Sequence, residues 1–147
     1  MNLKTFAVAL PGVAELDELH RSCHAAIEAL INAGQDRLEA GFPDLLNRFE
    51  QAFRDEERWM DDIDYPALKS HREQHARVLG ALHHVHGRVM DGDLALGRHV
   101  VDDLLPQWLS LHIDTMDNAL AVALCTDAAD APDTRQRSRD ALAGLPG

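Results

Sequence analysis

The chain has 147 residues, enough for one domain that buries a core without disulfide bonds. It carries 25 acidic residues against 14 lysines and arginines, a net charge of -11, which argues against nucleic acid or an anionic membrane surface as its partner. Two cysteines without CxxC spacing favour a reducing, cytoplasmic setting, and no stretch reads as a secretory signal or a membrane span.

The first half of the chain predicts two helices, because its apolar residues recur with helical spacing. The first helix is expected to run from Val13 to Glu39 and to stop near Gly41-Phe42-Pro43. Its inward stripe is predicted to contain Val13, Leu16, His20, His24, Ile27 and Ile31. The second helix is expected from Asp44 to Asp62, before the break at Asp64-Tyr65-Pro66.

The second half predicts two more helices. The third runs from Ala67 to Met90, and the fourth runs from Leu94 to Leu124, where Pro106 should kink the helix or remove one backbone hydrogen bond. Past Thr126 the composition is that of a flexible tail. Four long helices with short connections predict an all-α protein, an antiparallel up-down-up-down four-helix bundle.

Three histidines are in phase with the apolar stripes of the last two helices, so they should point into the bundle: His71, His75 and His112. Glu56 is in phase with the apolar residues of the second helix, and Asp117 lies five residues beyond His112. Buried imidazoles and carboxylates need partners, and a metal would satisfy all of them together.

A structural alternative stands beside the metal site. An HxxxH pair is common by chance in a chain with nine histidines, and core histidines can occur without a metal. Four other histidines are interpreted as exposed or near helix ends: His83, His84, His86 and His99. The other histidines and Glu56 are all in phase with the apolar faces of their helices, and this shared phase favours a metal site.

Five segments between Leu10 and Leu120 occur in one characteristic order. They are Leu10-Pro11-Gly12-Val13-Ala14-Glu15-Leu16-Asp17-Glu18-Leu19-His20, Phe53-Arg54-Asp55-Glu56-Glu57-Arg58-Trp59-Met60, Tyr65-Pro66, His71-x3-His75 and Trp108-Leu109-x2-His112-Ile113-x3-Asp117. In these segments the chain resembles the bacterial hemerythrins. The resemblance implies a single four-helix bundle domain at 1–125, which includes an N-terminal arm, followed by a flexible tail at 126–147.

The resemblance further implies a non-haem di-iron centre with an oxo or hydroxo bridge, which binds dioxygen or another small diatomic ligand. One iron would be held by three histidines, His71, His75 and His112. The second iron would be held by two histidines, of which His20 is one, and would keep an open position for oxygen. Glu56 and Asp117 would bridge the irons. The residues of the oxygen pocket would be Phe53, Met60 and Trp108.

One position departs from this pattern. The family has a histidine four residues before the bridging glutamate, and this chain has Ala52 there. We expect His24, one helical turn from His20, to replace the lost ligand, since two histidines at i and i+4 can hold one metal. The rival interpretation is that His24 only lines the pocket. Cys23 is expected to be rotated off that face and to serve in packing.

The function that follows is oxygen binding, for carriage, local supply or sensing, and the sequence leans against an enzyme. The alternative is a small di-iron oxidoreductase acting on peroxide or nitric oxide, because a second imidazole near the pocket could protonate the bound species. A third interpretation is a helical module that binds zinc or no metal. Iron is expected over zinc because of the resemblance.

Overall fold

Four long helices make up the part of the chain that the computed structural model describes, residues 12–127. α1 covers Val13–Asn32, α2 covers Leu38–Asp62, α3 covers Leu68–Met90, and a fourth helical run, α4, covers residues 94–127. Consecutive helices pack against one another and α1 also packs on α4. The prediction of an all-α four-helix bundle is confirmed, and its short connections make neighbouring helices antiparallel.

Two predicted segments, the N-terminal arm and the C-terminal tail, lie at the ends of the chain. The predicted N-terminal arm up to residue 11 and the predicted tail from residue 128 onwards lie outside the described residues, while the last helix continues through residue 127. Within residues 12–127, no helix combines the length and the apolar character that crossing a membrane requires.

The boundary between α1 and α2 lies earlier in the chain than the sequence predicts. α1 ends at Asn32, a turn of 3-10 helix follows at Gln35–Arg37, and α2 begins at Leu38 and continues through Pro43. The predicted break at residues 41–43 is therefore wrong. A proline close to a helix start removes one backbone hydrogen bond, and the full burial of Leu38 and Phe42 outweighs that loss.

Arg98 accounts for the position at which α1 stops. Its guanidinium donates hydrogen bonds to the carbonyl oxygen of Leu30 at 2.7 Å and to that of Ile31 at 3.4 Å. The last carbonyls of a helix have no partner within the helix, so a donor from another helix stabilises the end there. A side chain on Gly41 would lie 2.7 Å from Leu30, which shows how closely α2 approaches this end of α1.

The inward face of α1 follows a heptad pattern with alternating steps of three and four residues. Its buried members are Val13, Leu16, Cys23, Ile27 and Leu30, with the half-buried His20 between Leu16 and Cys23. The sequence predicted His24 and Ile31 on this inward face instead of Cys23 and Leu30, but His24 and Ile31 are exposed. In a bundle, the spacing of 3.5 residues per turn keeps one seam inward, so the step after His20 falls on Cys23.

α4 contains two π-helical segments, Val100–Leu104 and Ile113–Asp117, which separate α-helical stretches at Leu94–His99, Leu105–His112 and residues 118–127. The amide of Leu105 donates to the carbonyl of Val100, five residues back, just before Pro106, which has no amide hydrogen to donate. The predicted disturbance at Pro106 thus takes the form of a wider turn upstream. The second segment ends where the backbone amide of Asn118 donates a hydrogen bond to the carbonyl oxygen of Ile113.

The core consists of two apolar clusters with a polar layer between them. The larger cluster takes buried residues from all four helices, among them Ile27, Phe49 and Leu105. The smaller cluster consists of Leu16, Met60, Leu120 and Leu124. Along α1, α2 and α4 the inward histidines and carboxylates fall between members of the two clusters, and along α3 they fall between Leu68, which packs against the smaller cluster, and Leu82 of the larger one. Apolar packing on both sides therefore holds them in place.

Two glycines provide a matched test of this packing. A side chain on Gly97 would lie 2.5 Å from Val89 and 2.9 Å from Leu38, whereas one on Gly80, within α3, would meet nothing within 4 Å. We expect Gly97→Ala to lower the free energy of unfolding by about 1 to 3 kcal/mol through overpacking. Gly80→Ala should raise it by about 1 kcal/mol because alanine favours the helix. Denaturant unfolding measures both, and a Gly97→Ala variant as stable as the parent would contradict the packing.

Candidate metal centre

Five buried side chains from three helices converge between the two clusters. Glu56 comes from α2, His71 and His75 come from α3, and His112 and Asp117 come from α4. Each offers one ligand atom, and these atoms all lie within 4.8 Å of one another. The five residues are only 1 to 2% exposed.

The distances within this group have the pattern of a ligand shell. The Nε2 atoms of His71 and His75 each lie 3.2 Å from Nε2 of His112. Oδ1 of Asp117 lies 3.0 Å from Nε2 of His71, and Oε2 of Glu56 lies 3.1 Å from Nε2 of His75. Neighbouring ligands bonded at about 2.1 Å to one octahedral ion would be about 3 Å apart.

Unsatisfied atoms point to the same conclusion. Oε2 of Glu56 and Oδ1 of Asp117 are buried and accept no hydrogen bond, although ring nitrogens lie close to both. Nδ1 of His112 lies 2.8 Å from the amide oxygen of Gln74, so Nδ1 carries the proton and Nε2 directs its lone pair into the group. Buried lone pairs that face each other without donors are costly, and a metal ion answers all of them. The residues present fit a metal.

The charges of the site also call for a cation. Burial alone would lower the pKa of His71, but the close carboxylates of Asp117 and Glu56 outweigh burial and raise that pKa to about 9. Burial would raise the pKa of Asp117, yet the nearby rings of His112, His20 and His71 hold that pKa well below the usual range. Burial lowers the pKa of His75. In the absence of metal, the carboxylates therefore attract a proton to His71.

His20 approaches the same carboxylates from the other side. Its Nε2 lies 2.9 Å from Oδ2 of Asp117 and 3.9 Å from Oε1 of Glu56, and its side chain is 15% exposed. Each carboxylate thus turns one oxygen towards the three histidines and the other towards His20. This is the arrangement that two bridging carboxylates need in order to link two metal positions.

The π-helical segment explains how Asp117 joins His112 in the site. In a regular α-helix, two residues five apart point about 140° away from each other. The wider turn at Ile113–Asp117 reduces that angle and leaves both side chains buried. Sequence periodicity alone gives no signal of this turn, although the functional pairing of His112 with Asp117 implies one.

The structure does not bring His24 to this group. Its side chain is exposed, while Cys23 takes the inward position and is 3% exposed. Ala52, one turn before Glu56, is 2% exposed and brings no ligand atom. The exposure of His24 follows from the heptad seam of α1, and it speaks against the expected replacement. Burial, followed by the nearby charge of Glu56, raises the pKa of the Cys23 thiol to about 12.

The comparisons agree with the geometry. The family model of the hemerythrin HHE cation binding domain matches residues 11–124. The chain is a member of the hemerythrin family. A bacteriohemerythrin of Ralstonia nicotianae is 40% identical over 119 residues, which cover 78% of this chain and 84% of that protein. No solved structure matches the chain.

Hemerythrins bind oxygen at a non-haem di-iron centre, and this hemerythrin carries a buried group of histidine, glutamate and aspartate side chains able to hold metal. It is a di-iron oxygen-binding protein. The resemblance seen in the sequence is therefore confirmed at the level of family, fold and metal centre.

The residues expected at the oxygen pocket of this hemerythrin lie on two sides of the centre. Phe53 stacks on His75 with ring centroids 3.8 Å apart, and Trp108 stacks on His112 at 4.6 Å. Met60 is fully buried but belongs to the smaller apolar cluster. Phe53 and Trp108 are thus in contact with histidine rings of the buried group, while Met60 packs in the smaller cluster at the other end of the site.

Sequence reasoning missed one polar residue that supports a histidine of this group. Gln74 accepts a hydrogen bond from His112, whereas Nδ1 of His75 has no hydrogen-bond partner and Glu57, 3.9 Å away, pairs with Arg72. Gln74 stands inside the HxxxH motif, next to His75, which is the available sequence signal. Partners of this kind fix the ring orientation and the tautomer of a ligating histidine.

The four remaining histidines stay apart from the centre. His83 pairs with Glu50 and His99 with Asp103, both on the surface. His84 is exposed, and His86 is half-buried with its ring stacked on Phe42. The interpretation of these residues as unrelated to the metal is in keeping with their positions.

Loss of the partner of His112 should weaken metal binding. We expect Gln74→Leu to reduce metal affinity by about tenfold to a hundredfold, because the His112 ring loses the acceptor that fixes it. Gln74→Glu keeps an acceptor and should retain most of the affinity. Glu73→Leu makes a similar apolar change at the exposed neighbour and serves as control. Competition with a coloured chelator measures the affinity, and an unchanged value for Gln74→Leu would show that the hydrogen bond is dispensable.

The inward position of Cys23 can be tested with a thiol reagent. In the Cys125→Ser variant, we expect native Cys23 to react about a hundredfold or more slowly than in denaturant, because its thiol is buried and remains protonated. The half-buried Cys125 in the Cys23→Ser variant provides the comparison. Rapid labelling of native Cys23 would mean that α1 presents a different face to the core.

Proposed function

We propose that this hemerythrin binds dioxygen reversibly, for carriage, local supply or sensing. We also propose a ligand set: His71, His75 and His112 at one iron, His20 at the other, and Glu56 and Asp117 between them. The observation that carries the proposal is that three imidazole nitrogens and two carboxylate oxygens converge, and that these two oxygens accept no hydrogen bond. Iron, when bound, supplies the redox-active centre that oxygen requires.

The side chains around the ligands define what the protein contributes. Phe53 and Trp108 cover the rings of His75 and His112, and apolar clusters lie on both sides of the site. Such surroundings limit the access of water and protons, a condition for reversible binding rather than irreversible oxidation. The partly exposed end at His20 is where we place the open position for oxygen.

An oxidoreductase acting on peroxide or nitric oxide is the second candidate. It is favoured by the 15% exposure of His20, since water and proton donors reach this end of the centre more readily than the three-histidine end. Oxygen binding remains the leading proposal because the family match, the bacteriohemerythrin relative and the buried metal-binding group all support it. The cytoplasmic setting stays a prediction that rests on the two unpaired cysteines.

The deciding experiment measures iron per chain and the visible spectrum of the reduced protein without oxygen, after exposure to air and after oxygen removal. We expect iron in the protein and a band that appears with oxygen and disappears without it. His112→Ala should lose iron and the band, whereas His83→Ala, which changes a surface histidine, should keep both. An irreversible oxidation, or turnover of peroxide or nitric oxide with a reductant, would favour the oxidoreductase.

A further inference from the structure

The two ends of the metal centre offer unequal sets of protein ligands. At one end, five donor atoms converge: three imidazole nitrogens and one oxygen from each carboxylate. At the other end, His20 faces the second oxygen of Asp117 at 2.9 Å and that of Glu56 at 3.9 Å. The carboxylates are shared, so the difference is three imidazoles against one.

The surroundings of His20 supply no further imidazole. On α1 the next inward residue is Cys23, which packs in the larger apolar cluster, and His24 is exposed. On α2 the inward residue one turn before Glu56 is Ala52, which is buried and has no donor. Neither Cys23 nor His24 belongs to the group of ligand atoms that converge in the described residues.

Burial differs between the two ends in the same sense. The side chains of His71 and His112 are 1% exposed, while that of His20 is 15% exposed. Water can therefore complete the coordination at the His20 end, whereas protein atoms fill most positions at the other. Affinity for a metal depends on the number of protein ligands and on the groups that orient them.

We propose that the two metal positions differ in affinity by at least about tenfold, with Ala52 as the residue that sets the difference. The position at His71, His75 and His112 fills first and holds its metal tightly. The position at His20 fills second, exchanges its metal and leaves its remaining sites to water or small exogenous ligands. This inference rests on the proposed di-iron centre and concerns the order and strength of its loading.

Metal counting under competition tests the proposal. The full chain would be loaded anaerobically with Fe²⁺, equilibrated with a chelator over a range of concentrations, and analysed for metal per chain. We expect two steps separated by at least about tenfold in chelator concentration, with a plateau near one metal per chain. His20→Ala should remove the weaker step and keep the tighter one.

The complementary variant is Ala52→His, which adds an imidazole on the same face of α2 as Glu56. We expect it to strengthen the weaker step by about tenfold or more and to bring the two steps together. Ala40→His makes the same change at an exposed position of α2 and should alter neither step. If Ala52→His does not fold, the two steps of the parent and the His20→Ala result still decide the proposal.

Other outcomes would overturn it. Two metals bound with equal strength would refute the inequality while leaving the di-iron centre intact. A loss of tenfold or more in the weaker step for Cys23→Ser or His24→Ala would identify a further protein ligand at the His20 end and refute the role of Ala52. If the parent chain holds no tight metal at all, the proposed function fails along with this inference.

Discussion

Two carboxylates and three imidazoles buried together in an apolar bundle are the constraint on which this structure depends. Taking a carboxylate out of water costs several kcal/mol unless a cation or donors replace the water. Here Oε2 of Glu56 and Oδ1 of Asp117 accept no hydrogen bond, although the three histidines turn nitrogen atoms towards them. The fold therefore carries, inside its core, a demand for positive charge that a bound metal ion, or otherwise a proton on His71, answers.

The bundle meets this demand by placing apolar contacts on both sides of the polar layer. The cluster around Phe49 and Leu105 packs on one side, and the cluster of Leu16, Met60, Leu120 and Leu124 packs on the other. Apolar burial supplies most of the free energy that holds a domain of this size together. The proposed ligands come from all four helices, so the correct packing of every helix is a condition for a complete centre.

Much of the fold and of the centre was predictable from the sequence, because apolar periodicity places His71, His75 and His112 on inward faces. Whether Cys23 or His24 faces the core was not predictable, since both lie about one turn from His20 and only the packing of the four helices decides which face of α1 points inward. The start of α2 was missed because Pro43 is tolerated near a helix start. The phase of Asp117 depends on a π-helical turn, which has no periodic signal in the sequence.

The stacked rings of Phe53 and Trp108 have a consequence for the way the centre captures an ion. Each of these rings lies flat on a histidine ring, and Gln74 anchors His112 from behind, so these imidazoles have little rotational freedom. The entropy of ordering these side chains is lost when the chain folds and not when the metal arrives. The bundle is thus preorganised to receive a cation. Binding of the cation relieves the repulsion among the lone pairs that point into the group.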